Sequence, residues 1–455
     1  MMIKSINPFS GKKVNSYETH TIQGTNRIIS SVDKAFHSWR STGFQQRAVF
    51  MLNLASLLRS KKEELAKLMA IEMGKVMREG VAEIEKCAWV CEYYAQNSET
   101  MLENETVETQ YSASFVSYQP LGTILAVMPW NFPFWQVFRF LAPTLMAGNT
   151  AVLKHASNVP GCALAIEELV REAGFPENVF RTLLVGSSLV EGIISNPAVK
   201  AVSLTGSTPA GRSVAAIAGS ELKKCVLELG GSDPYLILKD AALEQSAIVC
   251  ATSRLLNAGQ SCIAAKRFIV VDEVYTHFLE HFTDKMNEAR FGDPCDPDIT
   301  MGPLARTDLR DELHQQVIDS VKKGAEIVLG GEIPNLKGSF YPPTILENVK
   351  PGMPAYDDEL FGPMASVIRV KDESEAVKVA NDTPFGLGAA VFTKNTIAGS
   401  RIAELQLDAG CCFVNDFVKS DPRLPFGGIK QSGFGRELSL HGIREFVNAK
   451  TVVVK

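Results

Sequence analysis

Short apolar runs alternate with helical stretches through most of the sequence after residue 121. In the first block, the apolar runs cover residues 124–128, 151–153, 182–185, 201–204 and 225–227. Stretches with helical periodicity, such as residues 161–173 and 210–218, separate them. Strands connected by helices in this way build a parallel sheet that is covered by helices on both faces. The pattern therefore predicts an α/β fold of the Rossmann type, which is typical of dinucleotide-binding domains.

A second alternation begins after residue 240. It predicts a helix through residue 256, a helix at 274–289, and strands at 268–271, 326–329, 366–370 and 389–392. The first hundred residues instead predict three helices. The first covers 28–39, the second contains 49–58 and is interrupted by Gly74, and the third covers 76–101. Because 455 residues exceed what one ordinary core holds, we expect two α/β domains.

Composition and charge restrict the partners and the location. The chain is 45% hydrophobic and 21% charged, as in a soluble globular protein, and its formal charge of −5 disfavours nucleic acid or a membrane surface as partner. The N-terminal segment lacks the apolar run of a signal peptide, and prolines interrupt the most apolar stretch, residues 121–153. Nine cysteines without a metal-binding spacing indicate buried thiols in a reducing cytosol. We expect a cytoplasmic protein without a metal.

Two residues near glycines give the clearest signal for chemistry. Cys262 follows Gly-Gln-Ser, and Glu228 lies in the segment Leu-Glu-Leu-Gly-Gly. Glycines leave room for a substrate to approach, so the pair indicates a nucleophile and a base. The alternatives are an inert core cysteine and a glutamate that forms a salt bridge at a strand end. A free thiol has a pKa of about 8.5 and needs activation, whereas a carboxylate in an apolar setting has a raised pKa and accepts a proton near neutral pH.

Two other segments carry weaker signals. Asn131 lies in Pro-Trp-Asn-Phe-Pro, and its amide can stabilise an oxyanion, although a turn residue between prolines is the structural alternative. Residues 206–211, Gly-Ser-Thr-Pro-Ala-Gly, lie between a predicted strand and a predicted helix. Glycines, a hydroxyl group and a helix N-terminus suit a diphosphate, but such turns also occur for structural reasons alone. Neither a GxGxxG fingerprint nor a Walker loop is present.

These segments resemble the aldehyde dehydrogenase family, and they occur in the family's order. The resemblance extends from Pro-Phe-Ser-Gly at 8–11 to Pro-Phe-Gly-Gly at 425–428 and Gly-Arg-Glu at 435–437. It implies that Cys262 attacks an aldehyde, that the thiohemiacetal loses hydride to give a thioester, and that Glu228 activates water to hydrolyse the thioester. Asn131, together with the backbone N–H of the nucleophile, would stabilise the oxyanion. The implied reaction is the NAD(P)-dependent oxidation of an aldehyde to a carboxylic acid.

The resemblance also assigns residues to the cofactor, NAD or NADP. Lys154 matches a lysine that contacts the adenosine ribose, and Glu359 and Phe361 match residues that hold the nicotinamide ribose and ring. The other residues assigned to this site are Trp130, Gly206, Ser207, Gly211 and Leu229. Ser157 occupies a position where many NAD-preferring members have a glutamate. Without that carboxylate a 2′-phosphate meets no like charge, so NADP should be accepted as well as NAD.

Arg139 indicates the class of substrate. The segment predicts a helix from about residue 134, which would put Trp135 and Arg139 on one face. Within the family the sequence is similar to the shorter bacterial succinate-semialdehyde dehydrogenases, in which an arginine at this position binds the distal carboxylate. Ser420 lies in a loop that often lines the substrate entrance. A surface arginine near a helix end is the alternative, and Leu256 replaces a second arginine found in some members.

By the same resemblance, a cofactor-binding domain comprises residues 1–104 and 121–230, and a catalytic domain comprises 231–431. Residues 105–120 and 445–455 form a β arm and tail for oligomerisation. The family pairs such an arm with the tail strand of a neighbouring subunit, which predicts a homodimer or homotetramer.

Other functions stay open. The substrate is a small aldehyde, expected to carry a carboxylate, and another short-chain aldehyde is an alternative to succinate semialdehyde. A CoA-acylating semialdehyde dehydrogenase is disfavoured by Glu228, which such enzymes commonly lack. A non-catalytic binding protein is disfavoured because Cys262, Glu228 and Asn131 are all present.

Overall fold

The N-terminal part is a β-hairpin followed by helices, in a computed structural model that describes residues 2–455. The hairpin consists of β1 (Met2–Ile6) and β2 (Lys13–Glu18). The helices are α1 (Ile22–Trp39), α2 (Phe44–Ser60), α3 (Lys62–Met73) and α4 (Met77–Met101). The predicted second helix is thus two helices, because the backbone leaves helical geometry at Lys61, where φ is −106°. Gly74 ends α3 in the left-handed conformation, which glycine adopts without steric cost.

The first large sheet begins after two short strands, β3 (Glu105–Thr106) and β4 (Ala113–Pro120). Its parallel strands are β5 (Thr123–Met128), β6 (Thr150–His155), β7 (Phe180–Thr182), β8 (Val199–Thr205) and β9 (Lys224–Glu228). The helices between them are α5 (Trp135–Met146), α6 (Pro160–Glu172), α7 (Val190–Ile194) and α8 (Thr208–Ser220). The spatial order is β9-β8-β5-β6-β7, so the prediction of a parallel α/β sheet is confirmed.

One predicted strand of this sheet is wrong in position. The apolar run at 182–185 was expected to pair, but the strand ends at Thr182. Leu183 and Val185 are nevertheless buried, at 1% and 2% exposure. The Leu183 N–H still donates to the Leu153 carbonyl of β6 at 2.7 Å, so the hydrophobicity of this run reflects burial that continues past the end of the strand.

The second sheet follows directly. Its strands are β10 (Pro234–Ile237), β11 (Arg267–Val271), β12 (Glu326–Leu329), β13 (Thr344–Glu347), β14 (Met364–Val370), β15 (Gly388–Phe392) and β16 (Cys411–Val414). Its helices are α9 (Leu243–Leu255), α10 (Tyr275–Asn287), α11 (Thr307–Lys322), α12 (Pro354–Asp357), α13 (Glu373–Asn381) and α14 (Thr396–Leu405). The order is β12-β13-β14-β11-β10-β15-β16, parallel except at β12. The sequence analysis missed β10 and β13, although it recognised the equally short β12, and it also missed the helices α11, α13 and α14.

The chain then returns to the first sheet and to the arm. β17 (Gly433–Phe434) pairs antiparallel with β9, and α15 (Ser439–Arg444) leads into β18 (Val447–Val454). β18 pairs antiparallel with β4 of the same chain over its whole length, and β3 completes this small sheet. The expected pairing of the tail with a neighbouring subunit's arm is therefore wrong. The return to the first sheet brings Val447 opposite Pro120, so the tail finds its partner within its own chain.

The topology gathers the predicted site residues. Parallel strands end at one edge of a sheet, and Trp130, Asn131, Gly206 and Glu228 all lie at or just beyond the carboxyl ends of neighbouring strands. In residues 2–455, no group of three or more side chains is arranged to ligate a metal ion.

Across the same residues, none of the helices combines the length and hydropathy that a membrane span requires.

Candidate active site

Cys262 lies on a loop with an unusual backbone. After α9 the chain turns through three consecutive left-handed residues, Asn257, Ala258 and Gly259, with φ of 53°, 53° and 72°. This region costs a residue with a side chain on the order of 1 kcal/mol or more, so neighbouring groups must stabilise it. The Asn257 amide does so by donating to the Asn131 carbonyl at 2.8 Å. The nucleophile loop is thereby joined to the segment that carries the predicted oxyanion donor.

Two buried cations hold the same loop. Lys266 Nζ donates to three loop carbonyls, those of Ser261 (3.0 Å), Cys262 (2.8 Å) and Ala264 (3.2 Å). The Arg254 guanidinium donates to the carbonyls of Gly259 (2.5 Å) and Ala265 (2.8 Å). Both cationic side chains are fully buried. They fix the position of Cys262 through backbone contacts, and sequence reasoning missed both because a side chain that reaches carbonyls gives no periodic signal.

The surroundings of Cys262 disfavour ionisation of its thiol. Burial raises its pKa to about 12, while the positive charges of Lys266 and Arg139 act in the opposite direction. The thiolate is the nucleophilic form, so the attack requires a base or a change in the local charge.

Glu228 is the last residue of β9 and lies opposite Gly433. It is only 2% exposed, and within residues 2–455 neither of its carboxylate oxygens has a hydrogen-bond partner. Burial, followed by the negative charge of Glu437, raises the pKa of Glu228 well above its ordinary value, and Arg139 opposes the shift. Desolvation therefore makes the Glu228 carboxylate more basic than an exposed glutamate, which favours a role as general base.

Arg139 is buried in α5 at 2% exposure. Its guanidinium forms an ion pair with Glu437, lies 3.4 Å from Thr205 Oγ1 and is 4.7 Å from the centre of the Phe426 ring. Arg139 lines a cavity that also contains Cys262, but a carboxylate of the protein already neutralises it. Its expected contact with a substrate carboxylate stays a prediction.

Asn131 is buried beside the nucleophile loop, where its amide Nδ2 donates to the Gln260 carbonyl at 3.0 Å. His155 contacts the segment that carries Asn131. The Ala156 N–H lies 2.9 Å from His155 Nδ1, and the two ring nitrogens face carbonyls, Nδ1 that of Met128 at 3.2 Å and Nε2 that of Pro133 at 2.9 Å. Burial lowers the pKa of His155 to about 4, which keeps the ring neutral. Sequence reasoning did not single out this positioning histidine.

Two cavities meet at Cys262. The smaller, of about 250 Å³, is lined by residues that the resemblance assigns to the cofactor and by the predicted oxyanion donor: Trp130, Asn131, Gly206, Ser207, Leu229, Glu359 and Phe361. The larger, of about 750 Å³, is lined by the three predicted substrate residues, Trp135, Arg139 and Ser420. Cys262 lines both cavities, whereas Glu228 lines neither of these two. A nucleophile at this junction can contact a substrate on one side and a cofactor on the other.

Four residues predicted to bind the cofactor lie in or beside the strands of the first sheet: Ser207, Gly211, Lys154 and Ser157. Ser207 caps α8 and accepts from the Ala210 N–H at 3.4 Å. Gly211 is needed for packing, because a Cβ there would lie 2.5 Å from Leu229 Cδ1. Lys154 is 9% exposed in β6, and burial alone lowers its pKa. Ser157 is exposed just beyond β6 and, with Gly211 and Lys154, is not part of the cavity wall.

One further residue of the larger cavity was not predicted. Lys86 of α4 lines it, and its Nζ donates to Ser420 Oγ at 2.8 Å. Nothing in the sequence around residue 86 distinguishes this lysine from a solvated one on the exposed face of a helix. Its position follows from the packing of α4 against α5 and the loop at 420.

The fold and the site define a class of protein. A Rossmann-type α/β chain with a cysteine between a cofactor-sized and a substrate-sized cavity, and with a protonatable buried glutamate nearby, has the architecture of a thiol-dependent α/β dehydrogenase. The model of the aldehyde dehydrogenase family matches residues 1–452. The chain therefore belongs to the aldehyde dehydrogenase family.

Individual relatives are similar over their full length. A probable succinate-semialdehyde dehydrogenase [NADP(+)] of Synechocystis sp. is 48% identical over 452 residues, covering 99% of both chains. Succinate-semialdehyde dehydrogenase [NADP(+)] 1 of Mycobacterium bovis is 47% identical over 455 residues, also covering 99% of both. The crystal structure of succinic semialdehyde dehydrogenase from Streptococcus pyogenes, in complex with NADP+, superposes with a TM-score of 0.97 at 38% identity and covers 99% of both chains.

Proposed function

We propose that the protein oxidises succinate semialdehyde to succinate and that it uses NADP, with NAD as an accepted alternative. The observation that carries the proposal is the position of Cys262 on the wall of both cavities. The names of the full-length relatives support the choice of substrate and cofactor.

The residues around the smaller cavity fit a nicotinamide dinucleotide. Trp130 and Phe361 place two aromatic rings 5.8 Å apart at its wall, and Glu359 offers a carboxylate for ribose hydroxyls. In residues 2–455, no carboxylate lies within 4.0 Å of Lys154 Nζ, which leaves a free charge for a phosphate or ribose. The uncharged Ser157 adds no repulsion against a 2′-phosphate. When bound, the cofactor accepts the hydride that leaves the substrate.

The chemical roles are assigned to three side chains. Cys262 Sγ bonds to the aldehyde carbon after the thiol releases its proton to solvent, and the Asn131 amide stabilises the oxygen that becomes negative. Loss of hydride leaves a thioester on Cys262. Glu228 then takes a proton from water, which attacks the thioester carbon and releases the acid and the thiol. Because Glu228 lies outside both cavity walls, its side chain must turn toward Cys262 in this step.

The larger cavity suits an aldehyde acid. Aromatic side chains, Phe132, Trp135 and Phe426, line it together with the cations Lys86 and Arg139. An anion in an apolar cavity needs a cation or hydrogen-bond donors to replace water, and these residues supply both. The test is to measure the formation of reduced cofactor from succinate semialdehyde and from butyraldehyde, each with NADP and with NAD. A kcat/KM that does not favour succinate semialdehyde would refute the substrate, and one that favours NAD strongly would refute the cofactor.

We also propose that the first sheet with the N-terminal helices is the cofactor-binding domain and that the second sheet is the catalytic domain. The small sheet of β3, β4 and β18 would serve assembly as a homodimer or homotetramer. Val453 and Val454 on β18 are 46% and 49% exposed, and a partner subunit would cover them. We further propose that the enzyme acts in the cytoplasm.

A further inference from the structure

Two glutamates on one face of α4 reach the two segments that carry catalytic side chains. Glu79 and Glu83 are four residues apart in the first two turns of α4, so their side chains lie on the same side of the helix. Both line the larger cavity, as Cys262 does. The chemical roles proposed above use neither glutamate.

Glu79 holds the loop of the nucleophile. Its Oε2 accepts the backbone N–H of Asn257 at 2.9 Å. Asn257 is the first of the three consecutive left-handed residues, whose conformation persists only when neighbouring groups stabilise it. The side-chain amide of Asn257 donates to the carbonyls of Asn131 at 2.8 Å and Gln260 at 3.2 Å. Asn257 is therefore fixed by Glu79 on one side and bound to the segment of the predicted oxyanion donor on the other.

Glu83 holds the segment that leads into α5. Its Oε1 accepts the backbone N–H groups of residues 134 and 135, both at 2.9 Å, which satisfies two donors that a helix start leaves free. Its side chain is also paired with Lys75, and both side chains are buried, at 1% and 0% exposure. Lys75 Nζ lies 3.7 Å from the centre of the Phe132 ring. The residues that directly follow Asn131 are thus attached to α4 as well.

The two catalytic segments also bind each other. Asn131 Nδ2 donates to the Gln260 carbonyl at 3.0 Å, which is the oxygen that the Asn257 amide contacts. Gln260 lies two residues before Cys262, so these hydrogen bonds set the distance between the oxyanion donor and the nucleophile. Side chains one helical turn apart on α4 support both ends of this set.

A direct chemical role of Glu79 as the base for the nucleophile is disfavoured. After burial, the groups with the largest effect on the pKa of Cys262 are Lys266, Arg139, Glu359 and Asp233. The contact that joins Glu79 to the nucleophile loop is the one with the backbone of Asn257.

We propose that Glu79, together with Glu83, is a positioning residue that aligns the Asn131 amide with Cys262 for stabilisation of the oxyanion. The proposal rests on the proposed function, in which Asn131 stabilises the oxyanion, and deepens it by naming the groups that maintain this alignment. A small displacement of the loop would weaken a hydrogen bond that forms fully only in the transition state, so it would slow the chemical step more than it would weaken substrate binding.

A double-mutant cycle tests whether Glu79 acts through Asn131. The measured quantity is the rate of the first turnover, followed as reduced cofactor after rapid mixing with the aldehyde that the wild type oxidises fastest. Asn131→Ala should lower this rate by roughly 10²- to 10³-fold, the usual loss for one oxyanion donor. Glu79→Ala should lower it by about ten- to a hundredfold in the wild type but by less than about threefold in Asn131→Ala. Equal effects of Glu79→Ala in the two backgrounds, or a wild-type rate in either single variant, would overturn the proposal.

A conservative variant separates positioning from a general loss of structure. Burial raises the pKa of Glu79 to about 7, and a neutral glutamine still offers an oxygen to the Asn257 N–H. Glu79→Gln should therefore stay within about threefold of the wild-type rate. Glu99→Ala, at an exposed glutamate in the last turn of α4, is the matched control. Binding of NADP, followed by fluorescence, verifies that each variant is folded. If Glu79→Gln is as slow as Glu79→Ala, the proposal is wrong.

A second variant breaks the same set of contacts at another point, in case Glu79→Ala does not fold. Asn257→Gly removes the amide that binds the Asn131 carbonyl, while glycine adopts the left-handed conformation and keeps the N–H for Glu79. The first turnover should slow by about ten- to a hundredfold, and KM for the aldehyde should stay within about threefold. A wild-type rate in Asn257→Gly would overturn the proposal. Fastest oxidation of an aldehyde other than succinate semialdehyde would reject the proposed substrate instead, and every comparison among these variants would keep its meaning.

Discussion

The two cavities that meet at Cys262 are built in different ways. The smaller one is formed largely by short segments at the ends of neighbouring strands, such as the turn at Gly206 after β8 and Trp130 after β5. The larger one is formed by side chains from α4, α5, α9 and the loop at 417–420, which are far apart in the sequence. The residues proposed to bind the cofactor therefore come largely from local segments with recognisable composition, while those proposed to select the substrate are brought together only by packing.

The charges differ as well. Near the smaller cavity, Lys154 lacks a carboxylate partner, and Glu359 is only partly engaged, by the Gly231 N–H at 3.1 Å and Lys266 at 3.5 Å. In the larger cavity Arg139 is paired with Glu437. A charged residue on the cavity wall is thus a good guide to ligand charge only when its partners are known.

Replacement of Cys262 should have the largest effect, and it should abolish catalysis while leaving cofactor binding nearly unchanged. Cys262→Ala should reduce aldehyde oxidation by about 10⁴-fold or more, because no other group forms the covalent intermediate. The Kd for NADP, measured by fluorescence titration, should stay within about twofold, since Cys262 is only one part of that cavity's wall. Cys295→Ala, at an exposed thiol, serves as the control. Substantial turnover by Cys262→Ala would refute the covalent mechanism.

Glu228→Gln tests the step that follows hydride transfer. We expect kcat to fall by roughly 10²- to 10⁴-fold, the usual contribution of a general base. A thioester should then accumulate on Cys262 and appear as an increase in the mass of the intact protein. Glu221→Gln, at an exposed glutamate shortly before β9, should behave as the wild type. Normal turnover, or a block without an adduct, would show that the role assigned to Glu228 is wrong.

Ser157→Glu tests the proposed preference between NADP and NAD. A carboxylate at this position should raise KM for NADP by roughly ten- to a hundredfold and affect NAD far less, because only NADP places a phosphate near it. Ser220→Glu, at the far end of α8, controls for the added charge. If both cofactors lose affinity equally, the ribose does not lie beside residue 157.

The pH dependence of substrate preference tests the larger cavity, which is lined by Lys86. Burial, and next the charge of Arg139, lower the pKa of Lys86 to about 8, while Cys87, Asp421 and Glu83 act in the opposite direction. The ammonium is charged below this pKa, so the ratio of kcat/KM for succinate semialdehyde over butyraldehyde should fall by up to about tenfold between pH 7 and 9. The ratio cancels the titration of Cys262 and Glu228, which affect both aldehydes. A ratio that is flat with pH would contradict a role for the charge of Lys86 in the choice of substrate.

Truncation of the tail should affect the cavities least. Deleting residues 452–455 removes Val452, Val453 and Val454, which pair with Phe115, Ser114 and Ala113 of β4. The deletion should lower the mass in solution or cause aggregation. Light scattering coupled to gel filtration provides the measurement, and removal of Lys455 alone, which lies outside β18, is the control. An unchanged oligomer after the longer deletion would rule out the small sheet as the assembly surface.

Much of the fold could be predicted because strands and helices have local periodicity. Most strands of the first sheet, α6, α8 and α10 lie close to their predicted bounds. The short strands β10 and β13 could not be recognised, and the run at 182–185 was misplaced, because burial and pairing leave the same apolar pattern in so few residues.

The sequence alone determined the alternation of strands and helices in the first sheet, the glycine-flanked cysteine and glutamate, and the turn at 206–211, because each depends on neighbours within a few residues. Tertiary structure decided the rest. It paired Arg139 with Glu437, placed Lys86 on Ser420, and used Lys266 to hold the Cys262 loop. A charged side chain takes its function from the partners that packing brings within a few ångströms, and these partners are distant along the chain.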